Sequence, residues 1–304
     1  MPPVPRPDHG RPAQGADPFH EPRRDDCPWC GSRQLRTRAR APERGRRTPA
    51  AFVVDECRDC SHTFQNPRPT VDGLLLRHHQ QSAEDHSRPT PAGRLRRHHR
   101  AAARALLPYP EPESWLDVGT GLGYFPEIAR EIHPYTVFDG LDPTARVAHA
   151  QAAERVEEAY QGLLTDPWIV TRLRARYDVV SMFRHLEHTA DPREELRAAH
   201  EVLRPGGHLL LEVTDGARLF GALPVRGRRL RKSSARPRPL HLMPLRNLLA
   251  ELRSLGFEIL AARPCTSLPP RTHRVLAHRT PRPTAPTVPR PPRPPISSAH
   301  PSAP

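Results

Sequence analysis

Four of the five cysteines lie in two close pairs, a spacing that is typical of a metal site. The pairs are Cys27-Pro28-Trp29-Cys30 and Cys57-Arg58-Asp59-Cys60, with 26 residues between them. Four thiolates can surround one zinc ion tetrahedrally, and such a closed site is structural because no position remains for a substrate. The metal would also supply folding free energy to a segment too short to bury much core. Unpaired reduced cysteines are the alternative. Cys265 stands apart from the pairs and is interpreted as a structural or incidental thiol.

A glycine-rich turn is the second group of residues that could do chemistry. It reads Leu116-Asp117-Val118-Gly119-Thr120-Gly121-Leu122-Gly123 and joins an apolar run to a helical segment. Glycines let the backbone turn sharply and approach a ligand closely, and the first turn of the helix presents free N–H groups. A dinucleotide-binding fingerprint would need its last glycine at position 124, which is Tyr124. Asp142 ends the next apolar run, about 20 residues on, where a carboxylate can accept hydrogen bonds from both hydroxyls of a ribose. A purely structural strand-to-helix turn is the alternative.

The elements that must position these residues are visible as an alternation of short apolar runs and amphipathic helical segments from Ser114 onward. The runs predicted as strands are Trp115–Val118, Tyr135–Leu141, Tyr177–Met182, His208–Val213, Phe257–Ala262 and Thr272–His278. The segments predicted as helices are Val71–Gln81, Gly93–Leu107, Tyr124–Ile132, Pro143–Ala153, Pro192–Leu203 and residues 239–255. This alternation predicts an α/β fold with a doubly wound parallel sheet, whose binding crevice lies at the carboxyl ends of the strands.

The glycine turn resembles the first motif of class I S-adenosylmethionine-dependent methyltransferases, and further motifs follow in that family's order. Residues 177–182 with His185-Leu186-Glu187-His188 resemble the fourth-strand motif, Leu203-Arg204-Pro205-Gly206-Gly207 resembles the turn into the fifth strand, and Leu255-Gly256-Phe257 matches the start of the sixth. The resemblance implies a Rossmann-like methyltransferase sheet and S-adenosyl-L-methionine as cofactor.

The same resemblance assigns the cofactor-binding residues. It implies that Asp142 binds the ribose, that Asp117 meets the ammonium group of the methionine moiety, and that Gly119, Gly121 and Gly123 shape the pocket. No residue between 159 and 177 matches the family's adenine-contacting acid unambiguously.

The cysteine segment resembles the N-terminal zinc ribbon of a bacterial subgroup of these enzymes that modifies sugars and other small metabolites. The resemblance rests on Cys-Pro-x-Cys-Gly-Ser, on the second pair and on Phe64-Gln65-Asn66-Pro67-Arg68-Pro69. It implies a structural zinc ion held by Cys27, Cys30, Cys57 and Cys60. The subgroup usually continues the second pair with Cys-Gly-Leu, whereas here Ser61 follows Cys60, and the loss of this glycine is expected to strain or alter the turn.

Methyl transfer from a sulfonium depends mainly on orientation, and a base is needed only where the acceptor must lose a proton. Histidine suits that task near neutral pH, and His185, His188 and His241 lie near the predicted crevice. His241 and His188 are the candidate catalytic bases. His188 equally fits a role in bracing its loop, because the family commonly has a histidine there, and His241 equally fits a residue at the start of a helix.

Prolines mark the borders of the folded part. The chain has 304 residues and 40 prolines, against an average content near 5%, and they are concentrated in the two ends. We predict disordered segments at residues 1–24 and 280–304, a zinc ribbon at 25–70, a helical linker or cap at 71–108 and a methyltransferase domain at 109–279. No run reaches the roughly 18 apolar residues that span a bilayer, and no apolar signal sequence is present. A cytoplasmic protein without membrane contact is expected.

The formal charge of +14 is distributed unevenly. Residues 105–222 carry 11 basic and 19 acidic side chains, whereas residues 223–304 carry 16 basic and 2 acidic ones. Because the catalytic region is itself acidic, the charge is a weak argument for a nucleic-acid partner. The seven basic residues between Arg226 and Arg238 would suit an anionic acceptor, or they form a solvated loop.

The leading hypothesis is transfer of a methyl group to an oxygen or carbon of a small-molecule acceptor, such as a sugar or a natural-product intermediate. One alternative is a nucleic-acid methyltransferase, although the fourth-strand motif lacks the Asn/Asp-Pro-Pro-Tyr sequence of amino-directed enzymes. The other is a zinc-ribbon interaction protein with a cofactor-binding domain that does not turn over.

Overall fold

Alternating apolar runs and helical segments build two sheets. The computed structural model describes residues 18–42, 51–76, 92–215, 239–265 and 271–281. Within these ranges lie eleven strands: β1 Leu35–Pro42, β2 Ala51–Cys57, β3 Thr63–Gln65, β4 Ser114–Val118, β5 Val137–Asp142, β6 Ala159–Gln161, β7 Tyr177–Phe183, β8 Leu203–Thr214, β9 His241–Leu242, β10 Phe257–Cys265 and β11 Thr272–Arg279.

The helices of the described ranges are α1 Ala92–Ala103, α2 Tyr124–Ala129, α3 Arg146–Ala152, α4 Pro167–Leu173, α5 Pro192–Val202 and α6 Leu245–Ser254, with 3-10 turns at Arg104–Leu106 and Leu186–His188. Residues 71–76 are also helical. Local sequence explains where α5 begins, because the Asp191 carboxylate accepts hydrogen bonds from the N–H groups of Arg193 and Glu194 and Pro192 takes the first helical position.

The larger sheet has seven strands in the order β10-β11-β8-β7-β4-β5-β6. Strands β4 to β8 run parallel, and the order reverses at β4, which places a crevice at the carboxyl ends of β4, β5 and β7. The predicted doubly wound α/β fold is confirmed. The sheet is mixed, however, because β11 runs antiparallel to β8 and β10. The connection from β10 to β11 has too few residues for the crossover that parallel strands need.

Helices cover both faces of the larger sheet, and alternate residues of each strand serve alternate faces. In β8, Leu209 and Leu211 join the core with α5 and α6, whereas Leu210 joins the core with α1 and α2. The next residue on the α1 side of β8 is therefore Glu212. Strand β6 and helix α4, which the sequence pattern did not predict, complete the edge next to β5.

The smaller sheet is antiparallel, with the order β1-β2-β3-β9. Its last strand comes from the segment between β8 and α6, which the sequence pattern assigned to a helix spanning residues 239–255. The helix in fact begins at Leu245, and His241 and Leu242 instead pair with Phe64 and Thr63. An edge strand offers unpaired N–H and C=O groups, and β9 satisfies those of β3.

The ends predicted as disordered fall mostly outside the described residues, as do residues 77–81 of the predicted helix Val71–Gln81. Of the N-terminal segment, residues 18–24 are described, and His20 forms an isolated bridge with Pro69. None of the helices in the described ranges is both long and apolar enough to cross a membrane.

Candidate functional site

The glycine turn joins β4 to α2 at the crevice of the larger sheet. Gly119, Gly121 and Gly123 have φ values of 75°, 55° and 73°, a left-handed backbone conformation that residues other than glycine rarely adopt. The N–H groups of Gly119 and Thr120 both donate to the carbonyl oxygen of Leu141, at 2.8 and 3.1 Å. The turn is therefore fixed against the end of β5.

Asp142 lies at that end of β5 and faces the turn. One carboxylate oxygen accepts the N–H of Gly121 at 3.0 Å. The other accepts the N–H and the hydroxyl of Thr144, at 2.9 and 2.6 Å. These three bonds fix the carboxylate beside the glycine backbone, where the resemblance expects the ribose to bind.

Asp117, on β4, is buried directly across from Ser181 of β7. Its carboxylate accepts the Ser181 hydroxyl at 2.6 Å, and Ser181 in turn accepts the indole N–H of Trp115 at 2.9 Å. Burial raises the pKa of Asp117 to about 7, and the hydrogen bond from Ser181 offsets this only in part. The site therefore contains a buried carboxyl group whose ionised form would be favoured by a neighbouring cation.

His185 lies over the glycine turn. A Cβ atom at Gly119 would be 2.8 Å from its Nδ1 atom, which shows how closely the imidazole approaches the backbone. On the other side, Nε2 lies 3.5 Å from the carboxylate of Glu195 in α5. Burial alone would lower the pKa of His185, but Glu195 outweighs this and the pKa is raised. The crevice thus holds a histidine with a carboxylate behind it.

The other two histidines occupy different positions. His241 is 2% exposed in β9, and its ring nitrogens lie 3.1 Å from Nε2 of His62 and 3.1 Å from the carbonyl oxygen of Ala190. Burial lowers the pKa of His241 to about 4. His188 ends the 3-10 turn that follows β7 and is half-buried.

The four paired cysteines meet at one point. Their sulfur atoms all lie within 4.8 Å of one another, and Cys27 to Cys60 and Cys30 to Cys57 are each 3.6 Å apart. Tetrahedral zinc with bonds of about 2.3 Å places its sulfur ligands about 3.8 Å apart, whereas a disulfide needs about 2.05 Å. The cluster fits a closed zinc site and contains no disulfide.

The two turns that carry these cysteines have the same geometry. The N–H of Gly31 donates to the carbonyl of Cys27 and the N–H of Ser61 donates to the carbonyl of Cys57, each at 2.9 Å. Gly31 has φ 73° and Ser61 has φ 61°, so the serine adopts the left-handed conformation that glycine takes in the first turn. The expected strain at the missing glycine is therefore localised at Ser61.

The ribbon packs against the crevice side of the larger sheet. The side-chain amide of Asn247 donates to the carbonyl of Cys60 at 2.9 Å, and Arg193 donates to the carbonyl of Trp29 at 3.2 Å. The N–H of Leu240 donates to the carbonyl of Glu187 at 2.7 Å, which ties β9 to the turn after β7. Hydrogen bonds thus connect the cysteine site with the turn that carries His185 and His188.

The basic segment from Arg226 to Arg238 lies outside the described residues, so its predicted place beside an acceptor stays a prediction.

Comparison with known proteins identifies the larger part of the chain. The model of the family described as "Methyltransferase domain" matches residues 90–262, more than half of the chain. A stretch of 102 residues is 38% identical to the ubiquinone biosynthesis O-methyltransferase of Cronobacter sakazakii, a match that covers 33% of this chain and 42% of that protein. The chain therefore spans less than half the length of this curated relative.

Solved structures also resemble the chain. The N-methyltransferase NodS from Bradyrhizobium japonicum, in complex with S-adenosyl-L-homocysteine, has a TM-score of 0.48 and 15% identity, and the match covers 68% of this chain and 98% of that one. An S-adenosylmethionine-dependent methyltransferase from Mesorhizobium loti has a TM-score of 0.45 and 21% identity, covering 59% of this chain and 96% of that one.

Proposed function

Since this chain belongs to the methyltransferase-domain family and is a class I S-adenosylmethionine-dependent methyltransferase, we propose that it methylates an oxygen or carbon of a small-molecule acceptor. The observation that carries the proposal is the pair of buried carboxylates, Asp117 and Asp142, on either side of a left-handed glycine turn. The relatives named as ubiquinone biosynthesis O-methyltransferases support a small hydroxylated acceptor.

S-adenosylmethionine, when bound, supplies a methyl group on a positively charged sulfur. Asp142 would accept hydrogen bonds from the ribose hydroxyls, because its carboxylate is already held beside the turn by Gly121 and Thr144. Asp117 would pair with the ammonium group of the methionine moiety, because a nearby positive charge would stabilise the ionised form that burial disfavours. Gly119, Gly121 and Gly123 would leave room for the ligand against the backbone.

For the base we favour His185 over His241. Both ring nitrogens of His241 already have neighbours within hydrogen-bond distance and the ring is buried, so it offers no lone pair to an acceptor and is better suited to bracing β9. His185 faces the glycine turn and has Glu195 behind it, an arrangement in which a carboxylate stabilises the imidazolium formed when the base takes a proton. For His188 we retain both proposed roles, a second candidate base or a residue that braces the turn after β7.

The four ribbon cysteines would hold one structural zinc ion. Burial raises the pKa of the Cys27 thiol to about 11, so a zinc ion would have to displace a proton that this thiol holds more tightly than a free thiol does. The zinc would hold the two turns together, and through Asn247 and the β3–β9 pairing it would also fix the turn that carries His185. We also propose a cytoplasmic location, because close cysteine pairs of this spacing suit a metal better than the disulfides of secreted proteins.

The proposal can be tested with labelled S-adenosylmethionine and the zinc-loaded full chain. Small phenols, sugar nucleotides and carboxylated metabolites are offered beside bulk RNA, and the label is followed into low-mass and macromolecular products. Label in a low-mass product supports the proposal. Transfer to RNA alone, or cofactor binding with no transfer to any acceptor, contradicts it.

A matched pair of variants tests the cofactor site itself. Asp142→Ala should abolish binding of S-adenosylmethionine measured by calorimetry. Asp139→Asn is the control, because Asp139 is also buried on β5 but accepts its hydrogen bonds from Tyr177, Glu158 and Arg176 and not from the glycine turn. Unchanged affinity in Asp142→Ala would contradict the assignment of the ribose site. Metal analysis should find about one zinc per chain, and none in protein purified reduced and without chelator would contradict the ribbon.

A further inference from the structure

Cys265, which the sequence pattern left without a role, ends β10 beside two ionisable side chains from other elements. His98 comes from α1, and Glu212 comes from β8, opposite Phe183 of β7 and Arg274 of β11. These residues lie on the α1 side of the larger sheet, toward the carboxyl ends of β7 and β8. They form a group separate from the glycine turn and from the ribbon cysteines, which we term the thiol cluster: His98, Glu212, Cys265 and Arg274.

The first three residues form a line of donor and acceptor atoms. Glu212 Oε2 lies 2.8 Å from His98 Nε2, and His98 Nδ1 lies 3.7 Å from the sulfur of Cys265. Glu212 Oε2 makes no aligned hydrogen bond, but its negative charge beside Nε2 favours a proton on that nitrogen, and Nδ1 then faces the thiol. His98 is 4% exposed and Glu212 is 1% exposed, so bulk water competes little for these contacts. Cys265, His98 and Glu212 therefore lie in the order nucleophile, base and orienting acid, the arrangement that activates a weak nucleophile.

Arg274 sets the charge of the cluster. Its guanidinium donates to the other oxygen of Glu212 through Nε at 2.8 Å and through Nη2 at 2.5 Å. Burial opposes ionisation of Glu212, yet the neighbouring His98 and the charge of Arg274 outweigh it and lower the pKa of Glu212. Nη2 of Arg274 also lies 3.9 Å from the Cys265 sulfur. A thiolate at Cys265 would therefore have an imidazolium and a guanidinium as neighbours, and both stabilise negative charge.

We propose that Cys265 is a reactive thiolate that adds to electrophilic carbon, with His98 as its base and Glu212 as the residue that positions the base. The chemical class of its ligand is an electron-poor alkene conjugated to a carbonyl group. The thiol proton passes to His98 Nδ1 and the sulfur bonds to the β-carbon. The alkene electron pair moves to the α-carbon, which then takes the proton back from His98. Addition of this kind releases no leaving group and needs no oxidant.

The thiol cluster lies close to the turn that carries His185. The N–H of Arg184, the residue after β7, donates to the carbonyl of Glu212 at 2.7 Å, and the next residue is His185 over the glycine turn. On the same side, the ring of Phe183 contacts His99 of α1 and Phe125 of α2. A molecule bonded to Cys265 would thus lie beside the wall formed by α1 and the turn after β7. The proposal does not depend on the identity of the methyl acceptor.

Alkylation by iodoacetamide measures the reactivity of this thiol. The zinc-loaded full chain is treated between pH 5 and 9, and the rate at Cys265 is followed by peptide-resolved mass spectrometry. We expect the rate at pH 6 to exceed that of N-acetylcysteine, because an imidazole and a guanidinium lie beside the sulfur. The rate at pH 6 should also exceed that of His98→Gln about tenfold, since the variant lacks the base. N-ethylmaleimide should add at the same residue.

The outcomes separate the proposal from its rivals. A wild-type rate at pH 6 no higher than that of N-acetylcysteine overturns it, even if His98→Gln fails to fold. An unchanged rate in a folded His98→Gln protein also overturns it, because the histidine would then not act on the thiol. A second divalent metal ion per chain, lost in Cys265→Ser, would show that the cluster is a metal site and not a reactive thiolate.

Discussion

The affinity for the cofactor should depend on pH through Asp117. Burial raises the pKa of this carboxyl group to about 7, so at neutral pH only about half of the free protein has it ionised. A ligand with an ammonium group binds the ionised form, and every pH unit below 7 makes that form about tenfold rarer. Between pH 7 and pH 5 the dissociation constant should therefore rise by up to about 50-fold.

S-adenosylhomocysteine is the suitable ligand for the measurement, because it carries the same ammonium group and is not turned over. That group, with a pKa near 8, stays protonated below pH 7. Calorimetry on wild type and Asp117→Asn gives the comparison. At pH 8 the variant should bind about 10-fold to 150-fold more weakly, which corresponds to the loss of one charge-assisted hydrogen bond of about 1.5–3 kcal/mol. At pH 5 the two proteins should bind almost equally.

The comparison between the two proteins removes other effects of acid. Any positive charge that His185 gains as the pH falls weakens binding of a cation in both proteins. The ratio of the two dissociation constants therefore reports Asp117 alone. A ratio that stays constant from pH 8 to pH 5 would refute the placement of the ammonium group at Asp117.

Two further predictions concern stability. Gly123→Ala should lower the free energy of unfolding by about 2–5 kcal/mol, because its Cβ would lie 2.9 Å from the Cβ of Arg155 and the backbone is left-handed at φ 73°. Gly206→Ala is the control, because Gly206 has φ 86° and a Cβ atom there would meet no atom within 4 Å; it should lose only about 1–2 kcal/mol from backbone strain. Equal losses of unfolding free energy for the two variants in urea would contradict close packing at Gly123. Burial lowers the pKa of His99 to about 4, below its unfolded value near 6.5, so the unfolded state binds more protons and stability is lost as pH falls below 6.5. The loss should be about 2 kcal/mol between pH 7 and pH 5, and His99→Gln should lack that part of it; identical pH dependence of the two proteins would rule out the buried neutral imidazole.

The geometry of the glycine turn and Asp142 was predictable from sequence because its parts are local. The glycine turn and the start of α2 lie within a few residues, and Asp142 follows at the end of the next strand. A strand, a turn and a helix in this order fix their own geometry, and the family resemblance adds the prediction that Asp117 and the three glycines lie beside a ligand. The cysteine pairs were predictable for the same reason, since each pair is held within one turn.

Pairs formed between distant elements could not be predicted in this way. Glu195 reaches His185 only because α5 packs under the turn after β7, and Glu212 reaches His98 only through the placement of α1. Strand β9 has two residues, too few for any periodicity, and it exists because β3 offers an edge from a segment 177 residues earlier in sequence. His241 was therefore assigned to the wrong element.

The two carboxylates at the glycine turn determine which end of the cofactor each would bind. Asp142 accepts three hydrogen bonds from protein donors, which hold it in place for neutral hydroxyl groups. Asp117 is more deeply buried, and the donors around it leave its pKa near 7. A cation gains most where a buried negative charge is least compensated, because it relieves the burial of that charge as it binds. The ammonium end of the ligand is therefore expected at Asp117 and the ribose at Asp142, and an exchange of the two roles would leave the hydroxyl groups to meet a carboxyl group that is half protonated at neutral pH.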